Sequence, residues 1–242
     1  MTNNLRLITI NKFNLKLIIS LVFSFWLLVV SQTHAQTAPE ILASWRAINY
    51  VPADYQGKIL PSNTSRIEAG FDLIDKNKMA DLSKNNISWF LGGNLLNSGI
   101  GLKNINFNIA SNLNQVVRIT ISGYKENDLD YIFPIPVANP EIIIDTKTSI
   151  KTLKNQKYLP LKSYIFEARP FFFNVSNLKE LSLKWRLNDR LVEGQAENPE
   201  FIKLNLESEG TPKKTELNLS ISASSLFNKL ELASKVLNLI VK

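Results

Sequence analysis

Three groups of residues in this chain have types and spacings that could do chemistry. Asp75, Asn77 and Asp81, and separately Asp128 and Asp130, put side-chain oxygens in short polar segments, the ligands a calcium ion takes. Lys76, Lys78 and Lys125 stand among them and no full D-x-[DN]-x-[DN]-G run exists, so turn-forming Asp and Asn account for the same residues. Ser176-Asn177-Leu178-Lys179 has the S-x-x-K spacing of some acyl-transfer nucleophiles. That chemistry needs a helix to bring Lys to Ser, and this segment reads as a turn. Nothing singles out a carboxylate pair for glycoside cleavage. The third group is aromatic. Trp45, Tyr50 and Tyr55 crowd the start of the chain after residue 36, and suit either a stacking platform for a sugar or the cover over one end of a core. Arg169-Pro170-Phe171-Phe172-Phe173 belongs with them. Strand alternation turns Phe172 away from its neighbours, so Arg169 and Phe172 mark either an exposed edge where another chain adds or a ring covered by another part of the protein.

Two absences narrow the field. The chain has no Cys, and its one His is His34. Residues 36–242 therefore lack the two side chains that most often serve as general base, nucleophile or transition-metal ligand. That weighs heavily against Ser-His-Asp or Cys-His catalysis and against a zinc site, and a disulfide framework is excluded there. We expect no enzyme and no cofactor.

The first 35 residues look like a targeting segment. Arg6, Lys12 and Lys16 supply the positive charge, the stretch from Leu15 to Val30 is apolar apart from Lys16, Ser20 and Ser24, and Thr33-His34-Ala35 offers small residues at the cleavage-defining positions. Positive, apolar, small is the order of a secretory signal peptide. The run is short for a membrane span, and an uncleaved N-terminal anchor is the alternative. On either reading the remainder is exported, and a membrane contact is expected only through residues 15–30, where they stay uncleaved. Without residues 1–35 the formal charge falls from +7 to +4. The lysines are scattered among acids, so no nucleic-acid partner is expected.

The elements that must position these residues read as strands. Ile87-Ser88-Trp89-Phe90-Leu91 and Leu183-Lys184-Trp185-Arg186-Leu187 each alternate around a Trp, followed by Gly92-Gly93-Asn94 or Asn188-Asp189-Arg190 and a returning Leu95 or Leu191. The two tryptophans lie 96 positions apart. Four further echoes keep the same order: Pro39-Glu40-Ile41 with Pro140-Glu141-Ile142, Glu68-Ala69 with Glu167-Ala168, Phe107 with Leu204, and Val117-Ile119-Ile121 with Leu217-Leu219-Ile221. A repeat at fixed spacing signals duplicated architecture. Pro134 and Pro136 restrict their strand to an edge, as Pro170 does its own. Ser224 or Ser225 would cap a short helix over 224–231, with Leu226, Phe227 and Leu230 on one face.

These strands, in this order, resemble bacterial immunoglobulin-like or PKD-like β-sandwich domains, without the paired cysteines of antibody domains. The resemblance implies an all-β chain: a signal or anchor over 1–35, one sandwich over 36–138 and a second over 139–242, joined by a short Pro-rich linker near Ile135–Asn139. It implies a spacer, adhesion or surface-assembly protein with a protein partner at the cell envelope. The alternative is a carbohydrate-binding module using Trp45, Tyr50 and Tyr55.

Overall fold

The computed structural model describes residues 38–241 apart from 112, 147–150, 154–155, 160–162, 195–196 and 207–214. The targeting segment lies outside the described residues, among which no helix is long and apolar enough to cross a membrane.

Alternating sequence becomes strand wherever one face can be buried. The first eight strands are β1 (Glu40–Ala47), β2 (Arg66–Asp75), β3 (Lys78–Met79), β4 (Asn86–Leu91), β5 (Asn94–Ile100), β6 (Asn104–Asn108), β7 (Gln115–Tyr124) and β8 (Asn127–Ile135). β2 holds β1 on one side and β6 and β3 on the other, and a second sheet runs β5-β4-β7-β8. Ile67, Ala69, Phe71 and Leu73 of the first sheet meet Ile87, Trp89, Val117, Ile119 and Ile121 of the second in one buried cluster.

The plan then recurs through β9 (Glu141–Thr146), β10 (Lys151–Leu153), β11 (Gln156–Leu159), β12 (Ser163–Phe171), β13 (Leu181–Leu187), β14 (Arg190–Val192), β15 (Phe201–Asn205), β16 (Thr215–Ser225) and β17 (Leu232–Val241). One sheet runs β15-β12-β9 and the other β10-β11-β17-β16-β13-β14. A separate cluster gathers Ile144, Tyr164, Phe166, Trp185, Ile202, Leu219 and Ile221. Three-stranded pairing of first, second and fifth strands against a sheet of third, fourth, sixth and seventh is the order of an immunoglobulin- or fibronectin-type sandwich. The chain is thus all-β, with two such sandwiches in tandem.

The two tryptophans occupy matching positions. Each is buried, and each indole donates to a backbone carbonyl in the loop after its hairpin: Trp89 Nε1 to Leu102 O at 2.8 Å, Trp185 Nε1 to Pro199 O at 3.0 Å. Their hairpins turn on two left-handed residues, Gly92 and Gly93 in one, Asn188 and Asp189 in the other. Two positive φ values in a two-residue loop match the twist of the flanking strands.

Three expectations need correction. Trp89 pairs with Ile119 and Trp185 with Ile221, so Ile221 rather than Leu219 is the counterpart of Ile119. A slip of two residues keeps every side chain on the same face, and alternation cannot detect it. Residues 224–231 form no helix. β16 runs on to Ser225, whose Oγ accepts from Phe227 N and Asn228 N and turns the chain straight into β17. The nearest helical geometry is a single 3-10 turn at Leu178–Glu180, capped by Asn177, and it carries Lys179 of the S-x-x-K segment. The sheets are antiparallel except that β11 runs parallel to β17. Finally, β12 lies between β9 and β15 instead of at an edge. Pro170 is tolerated because its ring sits past Glu167, the last residue facing β15. The edge expected of Pro134 holds, since β8 pairs with β7 alone.

Candidate functional site at the joint between the sandwiches

The residues singled out for binding mostly meet each other. Tyr50 leaves the irregular segment after β1 and forms a β-bridge with Phe173, its N–H donating to Phe173 O and its carbonyl accepting from Phe172 N, both at 2.8 Å. The Tyr50 ring packs against the C-terminal core. Tyr55 sets its ring edge-on to Phe171 and Phe172, with centroids 5.6 and 5.9 Å away. Arg169 pairs with Asp54 across the joint and lies 3.5 Å from Asp145. Tyr50, Tyr55, Arg169 and Phe172 are therefore the two sides of one internal contact.

Phe172 is the clearest departure from expectation. β12 ends at Phe171, and Phe172 takes a φ of 62°, so strand alternation stops one residue too early to expose its ring. All three phenylalanines are buried. Of the two readings of Phe172, the structure has the ring covered from the N-terminal sandwich rather than on an exposed edge. Trp45 stands apart, half-buried on β1, with the Lys58 ammonium 3.6 Å from its ring centroid. Burial lowers the pKa of that lysine. A shared stacking platform is not assembled, because Tyr50 and Tyr55 are committed to the joint.

A polar network that the sequence did not reveal fills the rest of the contact. Glu231, only 7% exposed, accepts from Ser62 Oγ at 3.0 Å and from Asn174 N at 2.6 Å. Asn49 Nδ2 donates to Ser62 Oγ and to Phe172 O, and Ser65 Oγ closes the group by accepting from Ser62 N. Asn174 Nδ2 donates to Thr64 Oγ1 at 3.2 Å. A buried charge persists only when it is hydrogen-bonded in this way. Thr64 has a φ of 69°, unusual for a β-branched residue. It and Phe172 each hold strain of about 1–3 kcal/mol, retained where the surroundings dictate the conformation. The linker is tied down as well, Val137 N donating to Asn114 Oδ1 and Ala138 N to Pro61 O. An acid between leucines, Leu230-Glu231-Leu232, was the one sequence signal for this network.

Beside the joint, a cleft of about 480 Å³ is lined by Tyr50, Asp54, Asp145, Glu167, Arg169 and Glu200. Burial raises the pKa of the Tyr50 hydroxyl, Glu200 and Glu167 push it the same way, and Arg169 opposes them. The loop acids considered for calcium serve their own surroundings. Asp75 is held by Lys125 and Tyr124, Asp128 accepts from Gly123 N, and Asp130 accepts from Thr120 Oγ1. Among the described residues no three acids gather as a metal site.

No family model matches the chain, and no curated protein matches it in sequence. Solved structures with loose similarity include the fibronectin(III)-like modules of Clostridium thermocellum CbhA, at 8% identity and TM-score 0.27 over 83% of this chain and 94% of that one. Three N-terminal domains of the bacteriophage RB49 Highly Immunogenic Outer Capsid protein match at 10% and 0.30, over 84% and 70%. Immunoglobulin domains 1–5 of Sidekick-1 match at 10% and 0.29, over 88% and 40%. At such scores they bear no functional argument, and the sandwich assignment stands on strand order.

Proposed function

We propose that this chain is an exported, non-catalytic protein whose two sandwiches, residues 36–138 and 139–242, act as one rigid spacer or assembly subunit at the cell envelope. The observation that carries the reading is the joint. Adjacent modules on a short linker move relative to one another unless their contact is extensive. Here a β-bridge, three buried phenylalanines and a buried carboxylate tie them together. Two strained residues, Thr64 and Phe172, lie within that contact. A chain built to hold two modules at a set angle presents its outer faces to a partner at a set spacing. The lack of Cys, and of His after His34, supports a binding or structural task over catalysis.

Fractionation of cells producing a C-terminally tagged chain tests the export. The expected result is protein in the envelope fraction or the medium, either beginning after Ala35 or, with the anchor kept, at Met1 in the membrane. Accumulation in the cytosol would overturn the proposal.

A further inference from the structure

The loop joining β16 to β17 exposes large apolar side chains that neither core absorbs. Leu226 is 58% exposed, Phe227 78%, Leu230 90% and Leu232 61%. Isolated exposed leucines are ordinary; four such residues within seven positions mark an interaction surface. Their outward display is built in. Ser225 Oγ accepts from Phe227 N and Asn228 N, Asn228 Oδ1 accepts from Leu230 N, and Asn228 O accepts from Glu231 N. The backbone is satisfied within the loop, so the side chains point outward without cost to it.

The charges around this tip that lack a partner are all of one sign. Lys229 and Lys235 are exposed on the loop and the strand that leaves it, and Lys179 is exposed on the 3-10 turn to which Leu226 N is bonded through Glu180 O. None of the three has a carboxylate partner within ion-pair distance among the described residues. The two local acids are hydrogen-bonded within the fold, Glu231 buried and Glu180 half-buried. Glu180 accepts from Ser176 N and Asn177 Nδ2, and Glu231 is spent on Ser62 and Asn174.

We infer that this loop is a membrane-contact site that inserts Phe227 and Leu230 at the boundary of headgroups and acyl chains of an anionic bilayer, with Lys179, Lys229 and Lys235 on lipid phosphates. Apolar side chains rimmed by lysine are what such an interface takes, its strength set by apolar area and by attraction to anionic lipid. Three lysines without a carboxylate partner around exposed apolar side chains complement an anionic bilayer in charge as well as in apolarity, which favours lipid over a protein surface. This goes beyond the spacer role and gives the exported part of the chain a membrane contact that does not depend on residues 15–30.

The test places an environment-sensitive fluorophore on Phe227→Cys, Leu230→Cys or, as a remote control, Leu95→Cys of the full, otherwise cysteine-free chain. Vesicles of phosphatidylcholine with and without phosphatidylglycerol are then added. Because the probe reports locally, retention of the N-terminal segment does not confuse the result. The expected outcome is a blue shift and intensity gain at 227 and 230 with phosphatidylglycerol vesicles and none at 95. Binding should weaken about fivefold for each of Lys229→Gln and Lys235→Gln, and weaken with salt. No shift on either vesicle, an equal shift at 95, or indifference to both lysines would overturn the inference. So would a lipid-free shift that rises with protein concentration, which would make a second copy the cover, or a shift seen only with added envelope proteins.

Discussion

Replacing Trp185 by Ala should unfold one sandwich far below the other. The ring is 1% exposed, and its removal costs about 3–5 kcal/mol in lost burial and cavity. The Pro199 carbonyl loses its indole donor, adding about 1 kcal/mol. A module of this size has only about 5–15 kcal/mol to lose. For about 100 residues each kcal/mol moves the midpoint by about 4–8 °C, so the C-terminal transition should fall by about 15–50 °C. Trp185 and Trp89 belong to separate buried clusters, and the N-terminal transition should therefore fall much less. Its smaller shift is the share of the joint it loses once Phe172 and Glu231 are gone. Trp89→Ala should show the reverse. Scanning calorimetry, with limited proteolysis to assign each transition, reads both changes. A single transition moved equally by either substitution would mean that the tandem shares one core, and the two-module account would fail.

Other outcomes follow from named contacts. Glu231→Ala removes two charge-assisted hydrogen bonds and should cost about 2–4 kcal/mol by urea denaturation. Its lowering of both midpoints would separate it from the tryptophan variants. The hydrogen bond from Lys125, aided by one from Tyr124, holds the Asp75 carboxyl below its ordinary value. A depressed carboxyl stabilises above its unfolded pKa, near pH 4, and loses that contribution as pH falls through the folded value. Urea midpoints of the wild-type N-terminal sandwich should therefore drop in acid below about pH 4, and Asp75→Asn should flatten that part of the profile. Gly93 has a φ of 89° with open space around it, so Gly93→Val is opposed by backbone strain alone. It should cost about 1–2 kcal/mol in the same assay.

How far the sequence reached depended on whether each feature was local. The Trp strands, their turns and the Pro134 edge were legible because alternation and turn chemistry are written in neighbouring residues. The two-residue slip that pairs Trp185 with Ile221 was not, since it leaves every inward residue inward. Phe172 stayed open between an exposed edge and a covered ring for a related reason: alternation holds only while the strand lasts, and a positive φ ends it there. Leu226, Phe227 and Leu230 have helical spacing, yet Ser225 accepts from two backbone N–H groups and makes a turn instead. The joint was the least visible part. Asn49, Ser62 and Glu231 are far apart in the chain, and no periodicity ties an acid at 231 to a serine at 62. Tyr50, Tyr55, Arg169 and Phe172 could serve outward contact or internal cover as far as sequence goes, and the fold spends them between its own two halves.

A distance measurement between spin labels tests the rigid joint most directly. Leu95 and Leu191 are exposed returning residues of the two Trp hairpins, and the chain has no other cysteine to label. Double electron–electron resonance on Leu95→Cys/Leu191→Cys should give one narrow distance distribution that broadens when Glu231→Ala is added. A broad distribution in the parent, indifferent to Glu231, would show two modules on a free linker and contradict the account.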